Sequence, residues 1–156
     1  MTGFYLFVSS IDSSHYHENN TYYDFIVELG RPYDLSESSH LRSRNRWNVA
    51  LVEAKLEDVA GLETPFIPEE VLICCDLVQP SYIRGSERKV LRQLGLTGSG
   101  QIVSTYQPYY ISLATQKFAR LEVHLLDRDL KPVSHRKDWP LSQTWKLSCT
   151  LHFQRT

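Results

Sequence analysis

The chain has 156 residues, which fits one domain, and a domain of this size buries about two-thirds of its unfolded surface in a core. Since 42% of the residues are apolar and 22% are charged, the composition excludes a wholly disordered chain. The net charge of −1 excludes a strong overall field that would attract nucleic acid or an anionic membrane.

The first predicted element, residues 4–8, alternates in hydrophobicity with a period of two. Phe4, Leu6 and Val8 occupy one phase, as expected of a strand with one face on a core. No basic group precedes this stretch, so it is a poor match to a secretion signal. No window approaches the roughly 20 apolar residues of a membrane-spanning helix, and no membrane partner is expected.

The same alternation recurs along the chain and is clearest over residues 145–154, where a helix would scatter the apolar side chains around its axis. The nearly continuous apolar run 71–78 is typical of a strand that is covered on both faces. The predicted strands are residues 4–8, 23–29, 47–53, 71–78, 89–94, 101–105 continued by 109–113, 121–126 and 145–154. Their inward positions predict a core of Phe25, Val27, Trp47, Val49, Leu51, Leu121, Val123, Leu125, Trp145, Leu147, Leu151 and Phe153.

Turn-rich connections separate these strands. Residues 30–46 form a connection that begins with Gly-Arg-Pro, and residues 127–131 form a hairpin tip in which Asp129 is suited to a positive φ. Segments 55–71 and 131–142 are long enough to cross between two sheets, and Pro65 and Pro68 limit any helix to a short turn. We therefore predict an all-β single jelly-roll, an eight-stranded antiparallel β-sandwich with little helix, as one domain over residues 1–156.

The three cysteines indicate a compartment rather than a site. Cys74, Cys75 and Cys149 are odd in number and lack the C-x-x-C spacing of a zinc site. Because a secreted chain would leave one thiol unpaired, the sequence favours a reducing compartment.

The sequence presents no convincing catalytic constellation. His15 and His17, in the segment HYHE at residues 15–18, would begin a metal site, but no further ligands are evident, and a solvated loop is the better interpretation. No nucleophile elbow, zinc-binding helix motif or P-loop occurs. We expect no catalytic residue, no metal and no cofactor, and therefore no enzyme.

Tyrosines and arginines in the predicted loops suggest a contact surface instead. Tyrosine provides a large contact area with a polar tip and is enriched at protein interfaces. The predicted subunit interface comprises Tyr82, Tyr109, Tyr110, Arg42, Arg44 and Arg46. Two alternatives stay open: the tyrosines close the ends of the sandwich, or the basic clusters at 42–46, 84–92 and 128–137 contact nucleic acid.

Several segments, in order, resemble a known family. They are WNVALVE (47–53), ICCDLV (73–78), SYIRG (81–85) continuing to LR (91–92), YQP (106–108), LEVHLLD (121–127), PV (132–133) and LHF (151–153). This pattern resembles the small single-jelly-roll capsid proteins of Maverick/Polinton-type elements, adintoviruses and adomaviruses, although DRDL (127–130) replaces the expected D-x-x-G turn. The resemblance implies a penton-like subunit of the virion capsid, assembled in the host cell as a homopentamer that contacts a double-jelly-roll major capsid protein.

Two other functions are compatible with the sequence. A non-catalytic jelly-roll module for a carbohydrate or protein ligand would use Trp139 or Trp145, with Asp138, as a stacking platform. An enzyme of the cupin type would need inward-facing histidines, whereas His124 and His152 fall on the polar phase of their strands.

Overall fold

The computed structural model describes residues 3–12, 17–36, 46–58, 70–95, 102–104, 107–133 and 145–156. Every regular element in these ranges is a β-strand, and no described helix is long and apolar enough to cross a membrane. The strands are β1 (Gly3–Ser9), β2 (Asp24–Asp34), β3 (Trp47–Asp58), β4 (Glu70–Cys75), β5 (Ser81–Ile83), β6 (Ser86–Arg88), β7 (Val90–Gly95), β8 (Ile102–Ser104), β9 (Ile111–Ser112), β10 (Lys117–Asp127) and β11 (Trp145–Arg155).

The strands pair in a nested order. The first sheet has the order β1-β11-β3-β8, with β9 also on β3, and the second has the order β2-β10-β4-β7. Strand β1 thus pairs with β11, β2 with β10, β3 with β8 and β9, and β4 with β7, and all of these pairs are antiparallel. This nesting is the jelly-roll arrangement, and the predicted all-β jelly-roll class is confirmed.

The main core lies between the two sheets. Side chains from both sheets meet there: the ring of Phe153 on β11 is 4.7 Å from that of Phe4 on β1 and 5.8 Å from that of Phe118 on β10. The structure buries ten of the twelve predicted core residues, namely Phe25, Trp47, Val49, Leu51, Leu121, Val123, Leu125, Leu147, Leu151 and Phe153. Val27 is only half-buried against this core, and the side chain of Trp145 lies outside the described part.

Strand β4 is covered on both faces, as its continuous apolar run indicates. Val71, Ile73 and Cys75 point into the main core, and Leu72 and Cys74 belong to a second cluster. That cluster lies on the outer side of the second sheet because successive strand residues point to opposite faces. Val90 and Leu126 complete it, and Ile83 and Leu130 pack against it. The strand itself ends at Cys75, three residues earlier than predicted.

The turn after β10 differs from the expectation. Its left-handed residue is Leu130, with φ 62°, and not Asp129. Asp127 sets this geometry, since its Oδ1 accepts the N–H groups of Asp129 (2.8 Å) and Lys131 (3.0 Å). Leu130 then packs on the second cluster, and that apolar contact offsets the backbone cost of roughly 1–2 kcal/mol for a non-glycine residue in this region.

The connection predicted from residue 30 begins later than expected. Strand β2 continues to Asp34, and its register on β10 jumps from Glu28 opposite Arg120 to Tyr33 opposite Phe118. The residues between them bulge out of the ladder, and Gly30 takes a φ of 73° there. A bulge lets a strand keep its partner through a sequence that reads as a turn.

The chain preceding β2 covers the outer edge of that strand. The amide of Asn20 donates to the carbonyl of Ile26 (2.9 Å) and accepts from its N–H (3.0 Å), as a neighbouring strand would. The N–H of Thr21 donates to the carbonyl of Asp24 (2.9 Å), and the N–H of Asp24 donates to the Thr21 hydroxyl (3.1 Å). This edge is therefore partly satisfied from within the chain.

Candidate assembly surface

The outer side of the first sheet carries a cluster of rings, here called the aromatic face, formed by Tyr5, Phe7, Tyr110 and His152. Tyr5 and Phe7 lie on the phase of β1 that points away from the core, and they are 69% and 58% exposed. His152 is the cross-strand partner of Tyr5 on β11, with ring centroids 4.4 Å apart in a stacked arrangement. Two large apolar side chains therefore stand next to each other in solvent on one strand.

His152 holds this face together. A hydrogen bond of 2.6 Å joins its Nδ1 to the hydroxyl of Tyr110, and the Tyr110 ring meets it edge-on at 5.8 Å. Gly3 makes room for the imidazole, because a Cβ at that position would lie 2.9 Å from Nε2 of His152. Ala50 is the cross-strand partner of His152 on β3 and is fully buried. The face thus runs across the sheet from β1 towards β9.

A second exposed aromatic lies on the opposite side of the sandwich. Tyr82 is 79% exposed on the β5–β6 hairpin. Its neighbour Ile83 packs against the second cluster, which places the hairpin over the outer face of the second sheet. Arg84 and Gly85 form the turn with φ of 50° and 75°, the signs of a two-residue hairpin turn that matches strand twist.

The predicted interface residues that the structure describes do not form one patch. Tyr110 belongs to the aromatic face, and Tyr109 beside it is 66% exposed, but Tyr82 is on the other side. Arg46 is exposed next to the C-terminal end of β11, where its carbonyl accepts the N–H of Thr156 (3.0 Å). Arg42 and Arg44 lie outside the described residues. Tyr33 packs against the core between Phe4 and Phe118 (5.7 and 5.6 Å) and thus closes the sandwich.

The sequence placed His152 on the polar phase of its strand, but its contact with Tyr5 and the exposed pair Tyr5 and Phe7 were missed. The available signal was two aromatic side chains on the outward phase of a strand whose inward phase was already apolar. Their contact with His152 depends on the pairing of the first and last strands, which periodicity does not reveal.

Of the two histidines that could begin a metal site, the structure describes His17. Nε2 of His17 lies 2.9 Å from Oε1 of Glu28, and His15 is outside the described residues. Among the side chains that the structure describes, no group of three or more His, Cys, Asp or Glu residues is placed to hold a metal ion. Asp138 and Trp139 of the alternative stacking platform also lie outside them.

The basic cluster at 84–92 contacts acceptors of the same chain. Arg84 pairs with Glu70 at 3.4 Å, Lys89 donates to the carbonyl of Asp76 (2.9 Å), and Arg92 donates to the carbonyl of Gln107 (3.4 Å). Exposed contacts of this kind contribute little stability. They nonetheless give each of these three cations a neighbour within the chain.

No family model, curated protein or solved structure matches the chain. The class of protein is therefore defined by its fold alone, a single jelly-roll sandwich, and its function is argued from the aromatic face and from Tyr82 on the opposite side.

Proposed function

We propose that the chain is a structural subunit that assembles with copies of itself into a capsid-type shell, as a penton-like homopentamer. The observation that carries the proposal is the placement of exposed aromatics on both outer faces of one sandwich: Tyr5 and Phe7 on the first sheet and Tyr82 over the second. A contact in which one surface of each copy meets a different surface of the next copy forms a ring when the rotation between copies closes. The aromatic face and Tyr82, on opposite sides of the sandwich, supply the two different surfaces that such a contact needs.

The physical chemistry of these surfaces supports contact with protein. Scattered apolar side chains are normal on any surface, but the adjacent rings of Tyr5 and Phe7, with Tyr110 and His152 behind them, form a patch. Burying such rings against a partner removes apolar area from water, at roughly 25 cal/mol per Å². The Tyr hydroxyls and the imidazole tolerate water at the rim of such a contact.

The remaining parts of the proposal rest on the resemblance of the sequence motifs to single-jelly-roll capsid proteins. On that basis the pentamer occupies shell vertices, contacts a double-jelly-roll major capsid protein and assembles in the host cell. The basic clusters do not carry the proposal, because the net charge of −1 supplies no general attraction for nucleic acid.

One observation favours a second candidate function, a non-catalytic binding module. The Tyr5 ring is stacked on His152 at 4.4 Å and presents its other side to solvent, which is the arrangement that a sugar ring uses for stacking. A module of this kind works as a single copy, whereas a shell subunit does not.

Electron microscopy of the purified full chain separates these functions. We expect closed rings with five-fold averages for the wild type and their loss in Tyr82→Asp, because the charge enters the contact. Ala114→Asp adds the same charge at another exposed position and should leave the rings intact. A field of single small particles in the wild type, together with saturable glycan binding that Tyr5→Ala abolishes, would establish the binding module instead.

A further inference from the structure

His152 lies at the centre of the aromatic face, between the ring of Tyr5 and the hydroxyl of Tyr110. The Tyr5 ring stacks on it at 4.4 Å, and the Tyr110 hydroxyl is 2.6 Å from its Nδ1. Of the residues that form the face, only His152 is of a type that changes its charge between about pH 5 and pH 8. The imidazole is half-buried, and a molecule that covers this face therefore removes the remaining water from it.

The hydrogen bonds around His152 suit the neutral ring better than the charged one. A neutral imidazole has one donor and one acceptor nitrogen, whereas an imidazolium has two donors. Tyr110 serves Nδ1, and no residue in the described part of the chain accepts a hydrogen bond from Nε2. A charged ring at this position therefore depends on water for that bond and for the hydration of its charge.

The strands around His152 place no carboxylate directly beside it in the described structure. The residues that face it are uncharged near neutral pH: Gly3 and Tyr5 on β1, Thr150 and Gln154 on β11, Ala50 on β3 and Tyr110 towards β9. The next row of the same face holds Glu53, opposite Thr150. Glu53 is exposed, so water screens its charge.

In the proposed pentamer, the Tyr82 side of the next copy adds no net negative charge to this face. Tyr82 lies opposite Glu87 on the β5–β6 hairpin. Residues 81–89 also carry the basic side chains of Arg84, Arg88 and Lys89. Glu70 offsets one of these charges, since it pairs with Arg84 at 3.4 Å. A contact on that side thus takes water from His152 without supplying an excess of carboxylates.

We infer that the contact through the aromatic face depends on pH: it forms while His152 is neutral and weakens when His152 is protonated. The inference rests on the proposed self-assembly and adds its regulation. Removal of water disfavours the charged form of an ionisable group, so the covered face favours the neutral imidazole. The contact is therefore strongest above the pH range in which an ordinary imidazole takes up its proton, about pH 6 to 7, and weakens as the pH falls through that range.

The mass of the purified full chain, measured by light scattering after gel filtration at about pH 8 and about pH 5.5, tests the inference on either side of the imidazole range. One proton per contact raises the dissociation constant of that contact by up to about tenfold for each pH unit below the range. We expect wild-type pentamers at the higher pH, single copies at the lower pH, and pentamers again when the pH is restored. Tryptophan fluorescence at both pH values shows whether the fold is kept.

Two variants at one position separate the charge of His152 from its packing. His152→Asn keeps a polar group for the Tyr110 hydroxyl, and His152→Phe keeps a ring against Tyr5, but neither side chain takes up a proton. We expect pentamers at both pH values from at least one of them. His124→Asn is the matched control on the outer face of the second sheet, where His124 is the partner of Cys74, and it should dissociate in acid as the wild type does.

The outcomes separate this inference from the proposed function. Wild-type pentamers that persist in acid overturn the pH dependence and leave the proposed function in place. The inference is also overturned if both His152 variants dissociate in acid as the wild type does, if neither variant forms pentamers at the higher pH, or if the wild type dissociates because it unfolds. Single wild-type copies at both pH values contradict the proposed function and the inference together.

Discussion

At the scale of single residues, Phe153 is the centre of the fold. It is fully buried, stacks on Phe4 at 4.7 Å and lies 5.8 Å from Phe118 of the other sheet, so it joins both layers. We predict that Phe153→Ala lowers the free energy of unfolding by about 3–5 kcal/mol, through lost burial and the cavity left behind. Urea denaturation, followed by tryptophan fluorescence, measures this free energy of unfolding. Tyr82→Ala, at an exposed aromatic, should change the free energy of unfolding by less than about 1 kcal/mol. Equal effects at the two positions would contradict the burial of Phe153 in the core.

The cysteines provide a second prediction at this scale. Burial raises the pKa of the Cys75 and Cys149 thiols to about 12 and that of Cys74 to about 11. Because the thiolate is the reactive form, we predict that native protein at pH 8 resists alkylation by iodoacetamide and that all three thiols react after unfolding in urea. Mass spectrometry counts the adducts, and rapid modification of any thiol in the native state would contradict the burial.

The same shifts determine how stability depends on alkaline pH. The folded state keeps these thiols protonated, whereas the unfolded chain ionises them above the ordinary thiol pKa of 9.0. Their contribution to stability is therefore complete below about pH 9 and is lost as the pH rises from there towards 12.

At the scale of elements, the chain that precedes β2 covers part of the outer edge of that strand. Asn20 satisfies both backbone groups of Ile26 and so occupies the place of a further strand. We predict that Asn20→Ala destabilises the fold by about 1–2 kcal/mol, since it removes two hydrogen bonds at a half-buried edge, and that it speeds amide exchange at Ile26. Hydrogen-exchange NMR measures both effects. Asn19→Ala, the exposed neighbour of the same type, is the matched control, and equal exchange in the two variants would refute the role of Asn20.

Periodicity was sufficient to find the principal strands but not their exceptions. Alternating positions such as Val49, Leu51 and Leu151 predicted both the strands and their buried faces, because a two-residue period directly reflects strand geometry. The continuation of β2 through Gly30 was missed, since a bulge and a turn use the same residues. The β5–β6 hairpin was also missed because its strands have three residues each and only Ile83 packs on the second cluster.

The candidate surface was predictable only in part. Tyr82 and Tyr109 are exposed as expected of interface residues, but whether they contact a second copy stays a prediction. The link between Tyr5, His152 and Tyr110 joins residues from the two ends of the sequence and the β9 region. It follows from the nested pairing of the jelly roll, and no local pattern encodes that pairing.

At the scale of the whole molecule, the proposed self-assembly depends on exposed aromatic side chains on both outer faces and on a nearly neutral chain. A net charge of −1 gives little electrostatic repulsion between copies, so it does not oppose a contact through the exposed aromatic side chains. We expect the contact between neighbouring copies of the pentamer to join the aromatic face of one copy to the Tyr82 side of the next.

Sedimentation velocity of the purified wild-type chain, over about a hundredfold range of concentration, tests this self-assembly most directly. For a pentamer we expect a species of about 90 kDa, five copies of an 18.1 kDa chain, or a multiple of it, that persists on dilution. A single species at 18.1 kDa throughout that range would contradict it.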